Sequence, residues 1–194
     1  MIHTIVYDID GVLANFTRGF SDLAARLGIV PAGWDNDEQQ TWDYDFHVDP
    51  VWRATEGEPF WLNLPRLVTD ADVAFMNEAG RYTETIYLTG RKETGSVRAQ
   101  TQRWLEQHGF PDGAVILADN KAQALEAMCT YPEHAQIIDD SPKVIDTLRS
   151  AGYDVVVRHA PYNAHVEGPR VLTVADFLNN MHMEPADAER ECGV

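Results

Sequence analysis

Four short apolar runs in this chain each break off into polar side chains, with helical patterns between them. This alternation narrows the fold more than any other feature. Ile2 to Ile9 runs into Asp8-Ile9-Asp10-Gly11, and Thr85 to Leu88 ends at Thr89-Gly90-Arg91. Ala114 to Leu117 ends at Ala118-Asp119-Asn120-Lys121, and Gln136 to Ile138 at Asp139-Asp140-Ser141-Pro142. A fifth run, Asp154 to Val157, follows. Runs this short and rich in β-branched residues read as buried strands. Between them, Val97, Thr101, Trp104 and Leu105 recur at helical spacing, and Val144, Leu148 and Ala151 do so behind Pro142, which suits a first helical turn. Gly109 and Gly152 are natural stops, and Thr173-x-x-Asp176 spaces a capping box ahead of Val174, Phe177, Leu178 and Met181. Strands alternating with helices specify an α/β chain whose doubly wound parallel sheet is covered on both faces. Ligands of such sheets bind beyond the carboxyl ends of the strands.

The alternation is interrupted between residues 15 and 66. Phe16, Phe20, Leu23 and Leu27 form a helical stripe closed by Gly28, after which the sequence turns acidic and aromatic. From Asp35 to Glu58 there are eight acids against one base, Arg53. Inserted directly after the first strand, this stretch reads as a small, mainly helical cap over the strand ends. The expected organisation is a core of residues 1–14 and 67–182, a cap of 15–66, and a mobile tail of 183–194. Over all 194 residues the net charge is −16, an excess that repels duplex phosphates and argues against a long nucleic acid as partner. A small phosphate compound remains possible where a metal ion or a cluster of donors reverses the field. Cys129 and Cys192 form no CxxC pair, and residues 1 to 7 run into a strand without a basic leader. With no apolar stretch of membrane-spanning length, the expected location is the cytoplasm, away from a membrane.

The polar residues at the strand ends form a set: Asp8 and Asp10, Thr89 with Gly90, Lys121, and Asp139 with Asp140. Taken singly, each has a structural explanation, since acids after strands often cap the next helix. Two members resist it. Lys121 opens a helix, where a cation opposes the macrodipole, and adjacent Asp139 and Asp140 repel each other unless a cation lies close. The chemistry that uses this inventory is phosphoryl transfer from a monoester. A carboxylate can attack phosphorus in line and form an acyl phosphate when a metal and fixed donors neutralise the phosphate. Asp8 suits that attack. Asp10, two residues on, projects to the same side and can protonate the leaving alkoxide, then activate water. Mg²⁺, a hard ion that accepts a few carboxylate and carbonyl oxygens while keeping waters, matches acids from two strand ends.

In order, Asp8-Ile9-Asp10-Gly11-Val12, Leu88-Thr89-Gly90-Arg91, Lys121 and Ile137-Ile138-Asp139-Asp140 resemble the four motifs of the haloacid dehalogenase superfamily of phosphohydrolases. The resemblance covers residues 5 to about 180. It implies Asp8 as nucleophile, Asp10 as acid and base, and Thr89 and Lys121 as phosphate binders. It also implies Mg²⁺ held by Asp8, the Asp10 carbonyl and the motif-four acids, with Asp140 as the direct ligand and Asp139 supporting it. Within the superfamily, Asp8-Ile9-Asp10-Gly11-Val12-Leu13-Ala14-Asn15-Phe16 and Arg158-His159-Ala160-Pro161-Tyr162-Asn163 look like the 5'(3')-deoxyribonucleotidases. That likeness implies a nucleoside monophosphate as substrate, its base enclosed by aromatic side chains. The stretch Phe60-Trp61-Leu62-Asn63-Leu64-Pro65 resembles the return of that family's cap to its core, whereas Thr89-Gly90-Arg91 and most of the cap depart from the animal enzymes.

The candidate substrate pocket is drawn from Phe16, Trp42, Trp52, Phe60, Trp61 and Arg91. Phe16 also belongs to the stripe with Phe20, so core packing and base stacking both remain open for it. The other aromatics lack a helical period, which favours pocket walls, although a cap also needs apolar filling of its own. Arg91 can meet a phosphate or nucleotide, or it can anchor a neighbouring carboxylate. Two further readings compete with a nucleotidase: a phosphatase for another small phosphoester, and a non-catalytic phosphate-binding protein on the same scaffold. The latter is expected to have lost Asp8, Asp10 or Lys121, and all three are present. A signalling receiver domain shares the residue types but carries its acid pair early and its phosphorylated Asp in mid-chain, the reverse of the order here.

Overall fold

The computed structural model describes residues 4–31, 44, 46–57, 59–128 and 130–181. The expected tail of 183–194 and Trp42 lie outside the described residues. The strands are β1 (Thr4–Tyr7), β2 (Glu84–Thr89), β3 (Ala114–Leu117), β4 (Ala135–Asp139), β5 (Asp154–Arg158) and β6 (Arg170–Val171). They form one parallel sheet in the order β3-β2-β1-β4-β5-β6. The helices are α1 (Phe16–Arg26), α2 (Asp49–Gly57), α3 (Asp70–Ala79), α4 (Gly95–Gln107), α5 (Lys121–Ala127), α6 (Pro142–Ser150) and α7 (Val174–Asn180). No helix among the described residues is long and apolar enough to cross a membrane.

Alternation along each strand sends successive side chains to opposite faces, and two buried clusters result. Ile5 and Tyr7 of β1, Tyr87 of β2, Ile138 of β4 and Val156 of β5 pack with Met76 of α3, Trp104 of α4 and Phe177 of α7. Val6, Ile86, Leu88, Ile137, Val155 and Val157 face the other way, onto Leu125 of α5 and Ile145 and Leu148 of α6. A sheet buried on both sides explains why its strands read as continuous apolar runs.

Each departure from the expected elements has a local cause. At its carboxyl end the first strand stops short of its apolar run, because after Tyr7 the chain folds into a tight loop in which Ile9 O accepts the amides of Leu13 and Ala14. Leu27 does not join the core as the stripe implies: α1 ends at Arg26, and Leu27 is 43% exposed where Gly28 reverses the chain. The chain leaves and re-enters the sheet region side by side, with Asn15 N donating to Pro65 O and Leu67 N to Leu13 O. Between those points lie α1, α2 and a short 3₁₀ turn, Trp61–Asn63.

Candidate active site

Strand register gathers the candidate residues. Chain order reverses at β1, which pairs with β2 on one side and β4 on the other, so the crevice expected of a doubly wound sheet opens at its carboxyl end. Tyr7 is level with Tyr87 and Ile138. Asp8, one residue beyond, donates its amide to Ile138 O at 3.0 Å. Thr89 and Asp139 close β2 and β4, and Asn120 caps α5 so that Lys121 opens that helix at the same rim.

Asp8 lies at the centre. Its Oδ1 accepts from Lys121 Nζ at 2.5 Å, and the same ammonium donates to Asp139 Oδ2 at 2.7 Å. All three side chains are buried. These two pairs resolve the conflict between Lys121 and its helix dipole, because the ammonium answers two buried carboxylates. Burial pushes the Asp8 carboxyl well above the ordinary range, reinforced by Asp139, Asp140 and Asp10 and opposed by Lys121. For Lys121, burial acts to lower the pKa, yet Asp139 and Asp8 outweigh it and leave the ammonium firmly charged.

The Asp140 carboxyl is pushed up to about 7, by burial first and then by Asp139. The Tyr162 hydroxyl donates to its Oδ2 and partly offsets that rise. Asn163 Nδ2 donates to the Asp140 carbonyl at 2.8 Å and is itself held by Arg170, whose guanidinium reaches Asn163 Oδ1 at 2.7 Å. Gly11 makes the close approach possible: its φ is +91°, and a Cβ there would sit 2.5 Å from Asp140 Cγ.

Asp8, Asp139 and Asp140 place ligand oxygens within 4.8 Å of one another. The donor set consists of hard carboxylate oxygens, and Asp140 Oδ1 is buried with no hydrogen-bond partner among the described residues. Asp8, Asp139 and Asp140 crowd around one ammonium, Lys121, while Arg91 is taken by Asp10. A divalent, oxygen-seeking cation fits this donor set in charge and chemistry. The Asp10 side chain is not in this group. It turns instead to Arg91, which reaches Asp10 Oδ1 through Nη2 at 2.7 Å and Oδ2 through Nε at 2.8 Å, with Thr89 Oγ1 3.2 Å from Oδ2.

Beside this cluster opens a cavity of about 970 Å³, lined by Asp8, Asp10, Thr89, Gly90, Arg91 and Lys121 at its base. Phe16, Tyr44, Phe46, Trp52 and Trp61 form an aromatic wall. Phe16 is buried and packs as its stripe implies: it stacks on Phe20 at 5.4 Å and on Trp52 and Trp61 at 5.6 and 6.0 Å, while one edge borders the cavity. Trp52 is 43% exposed, an unusual cost for a tryptophan on a free surface. Phe60 is buried behind the wall, edge-on to Phe16 and Trp61. Arg91 takes the carboxylate-anchoring alternative and still borders the cavity.

Sequence reasoning assigned no role to Tyr44, Phe46, Tyr162 or Asn163. The first two carry the signal that singled out Trp52, aromatics without period in an acidic stretch. Tyr162 and Asn163 fall in the Arg158-to-Asn163 stretch whose signal was a family likeness without a role, and their contacts reach Asp140 beyond the end of β4.

No protein-family model matches the chain, and no curated protein matches it significantly. Solved structures do. A haloacid dehalogenase-like hydrolase from Burkholderia xenovorans is 17% identical over 93% of this chain and 96% of its own, with a TM-score of 0.63. CbbY from Rhodobacter sphaeroides, solved with phosphate, is 20% identical over 91% of this chain and 96% of its own, at 0.57. The L-2-haloacid dehalogenase PA0810 is 14% identical over 92% and 99%, at 0.60. The chain therefore has the haloacid dehalogenase-like fold.

Proposed function

We propose that this protein is a Mg²⁺-dependent phosphomonoesterase of the 5'(3')-deoxyribonucleotidase kind, working through a phosphoryl group carried on Asp8. The observation that carries the reading is the position of Asp8, buried among Lys121, Asp139 and Asp140 at the foot of an aromatic-walled cavity. CbbY, on the same fold, has been solved with phosphate and with xylulose-(1,5)bisphosphate, which supports a phosphoester as the substrate class. Dehalogenation is the rival chemistry on this fold. Its substrate presents carbon to the nucleophile and gives no reason to bury three carboxylates around a cation, whereas a phosphate dianion does.

Asp8 Oδ attacks phosphorus; the bond from phosphorus to the ester oxygen breaks, and the Asp10 carboxyl gives its proton to that oxygen. Water then attacks the same phosphorus while Asp10 takes the proton back. The acyl phosphate bond breaks, freeing phosphate and restoring Asp8. Lys121 binds the phosphate oxygens; Thr89 lines the same site with its hydroxyl proton donated to Asp10 Oδ2, and the Gly90 backbone lets the phosphate approach. Asp8 and Asp140 would hold Mg²⁺ with the Asp10 carbonyl, and Asp139, engaged by Lys121 and the Ser141 amide, keeps Asp140 in place. When bound, Mg²⁺ offsets the phosphate charge that otherwise repels the attacking carboxylate. The cavity volume suits a nucleoside monophosphate, and Trp52, exposed and backed by Phe16, offers a face for its base.

The test is phosphate release from deoxy- and ribonucleoside monophosphates and from sugar phosphates, with Mg²⁺ or EDTA, alongside halide release from 2-chloropropionate. Mg²⁺-dependent release favouring nucleoside monophosphates, abolished by Asp8→Asn, is expected. Release from sugar phosphates alone would keep the chemistry and overturn the nucleotide assignment. Halide release without phosphate release would overturn both.

A further inference from the structure

Arg91 is 3% exposed, and its donors have definite partners. Nε and Nη2 grip the two oxygens of Asp10, and Nη1 donates to Thr101 Oγ1 on α4 at 2.8 Å. The guanidinium lies 4.7 Å from the ring centroid of Trp61, in the turn that returns from the cap. The Thr101 hydroxyl donates to Val97 O at 2.8 Å, so its lone pairs are left to accept from the arginine. The guanidinium is thus fixed on one edge by α4, on one face by Trp61, and on the fork by Asp10. A fork held this way is pre-organised for a carboxylate.

We infer that Arg91 is a positioning residue for acid and base catalysis, fixing the Asp10 carboxylate so that one particular oxygen, Oδ1, handles the proton. Oδ2 receives two donors, Arg91 Nε and Thr89 Oγ1, which fill the two acceptor positions of a carboxylate oxygen. Among the described residues Oδ1 receives one, Arg91 Nη2, and keeps a lone pair for the proton exchanged with leaving group or water. The assignment rests on the proposed role of Asp10. It goes beyond that role in tying acid and base geometry to the cap, because Trp61 stacks on both Arg91 and Phe16.

Two probes of similar size and different leaving groups separate positioning from mere support. Benzyl phosphate expels an alkoxide that needs a proton; p-nitrophenyl phosphate expels a phenolate that does not. Asp10→Asn and Arg91→Met are each expected to slow single-turnover cleavage of benzyl phosphate about 10²–10⁴-fold. The double variant should be no slower than Asp10→Asn, because both substitutions remove one unit. All three should retain a nitrophenolate burst, followed by slow turnover, since water activation is also lost.

Thr101→Val, which strips only the outer support, should show a smaller loss with the same leaving-group bias. It keeps the inference open to refutation if Arg91→Met fails to fold. Losses that multiply in the double variant, or a burst lost from Arg91→Met as completely as benzyl cleavage, would overturn the positioning role. Equal losses on both probes in Thr101→Val would do the same. A wild-type enzyme with no burst and no phosphate on Asp8 would instead overturn the parent reading, and this inference with it.

Discussion

Gly11→Ala tests the packing of the proposed metal site, with Gly28→Ala as its control. Both glycines have positive φ, +91° and +71°, so an alanine at either costs about 1–2 kcal/mol in backbone strain. Around Gly28 a Cβ meets nothing within 4 Å, whereas at Gly11 it lies 2.5 Å from Asp140 Cγ. Ordinary contact begins near 3.4 Å, so the carboxylate has to retreat by roughly 1 Å. Asp140 is 0% exposed and cannot swing into solvent. The retreat disrupts its bond from Tyr162, a charged-group hydrogen bond that contributes about 1.5–3 kcal/mol. The expected losses are about 1–2 kcal/mol for Gly28→Ala and roughly 3–5 kcal/mol for Gly11→Ala, at about 2–4 °C of Tm per kcal/mol. Thermal unfolding with and without Mg²⁺ reads both. Wild type and Gly28→Ala should gain Tm with Mg²⁺, and Gly11→Ala should not. Equal destabilisation of the two variants, with an intact Mg²⁺ response in Gly11→Ala, would refute the packing argument.

Three further outcomes follow from other contacts. Lys121→Met leaves Asp8 and Asp139 buried without their cation and should cost about 3–5 kcal/mol in metal-free buffer, less in Mg²⁺, measured by urea unfolding. Asp72 caps α3 by accepting from Thr69 N and Oγ1 at 2.8 and 2.7 Å, and accepts from Ala175 N at 2.8 Å. Burial opposes ionisation there, but the Thr69 and Ala175 bonds outweigh it and hold the carboxyl below its ordinary value. Its stabilisation is therefore complete above the ordinary aspartate pKa of about 3.9 and lost as pH falls through the lower folded value. Asp72→Asn should cost about 1 kcal/mol at pH 7 and flatten the acid side of the stability profile; an unchanged acid limb would refute the assignment. Trp52→Ala should raise KM for nucleoside monophosphates far more than for p-nitrophenyl phosphate, with kcat little changed, and equal effects on both would remove Trp52 from the base wall.

The clustering of the candidate residues was legible because they sit where apolar strands stop, and a polar side chain there needs a reason. Lys121 at a helix start and the Asp139-Asp140 pair are unfavourable locally, and the structure supplies the missing term through the bridge from Lys121 to Asp8 and Asp139. The Asp10 and Arg91 pair was not legible in the same way. Their separation of 81 residues closes only because β1 and β2 are neighbours. Thr69-x-x-Asp72 carries the capping signal also seen at Thr173, yet α3 spreads its apolar residues around the helix and lacks a clean stripe. β6, two residues long, is too short to register as a run. Leu27 misled because periodicity extends one position beyond the helix that created it.

The most direct test of the account is rapid acid quench of the enzyme with p-nitrophenyl phosphate and Mg²⁺, followed by peptide mapping. Phosphate bound to the peptide at Asp8, labile to hydroxylamine and absent in Asp8→Asn, is the predicted result. Steady release of phosphate with no covalent adduct at any time, or undiminished release by Asp8→Asn, would contradict it.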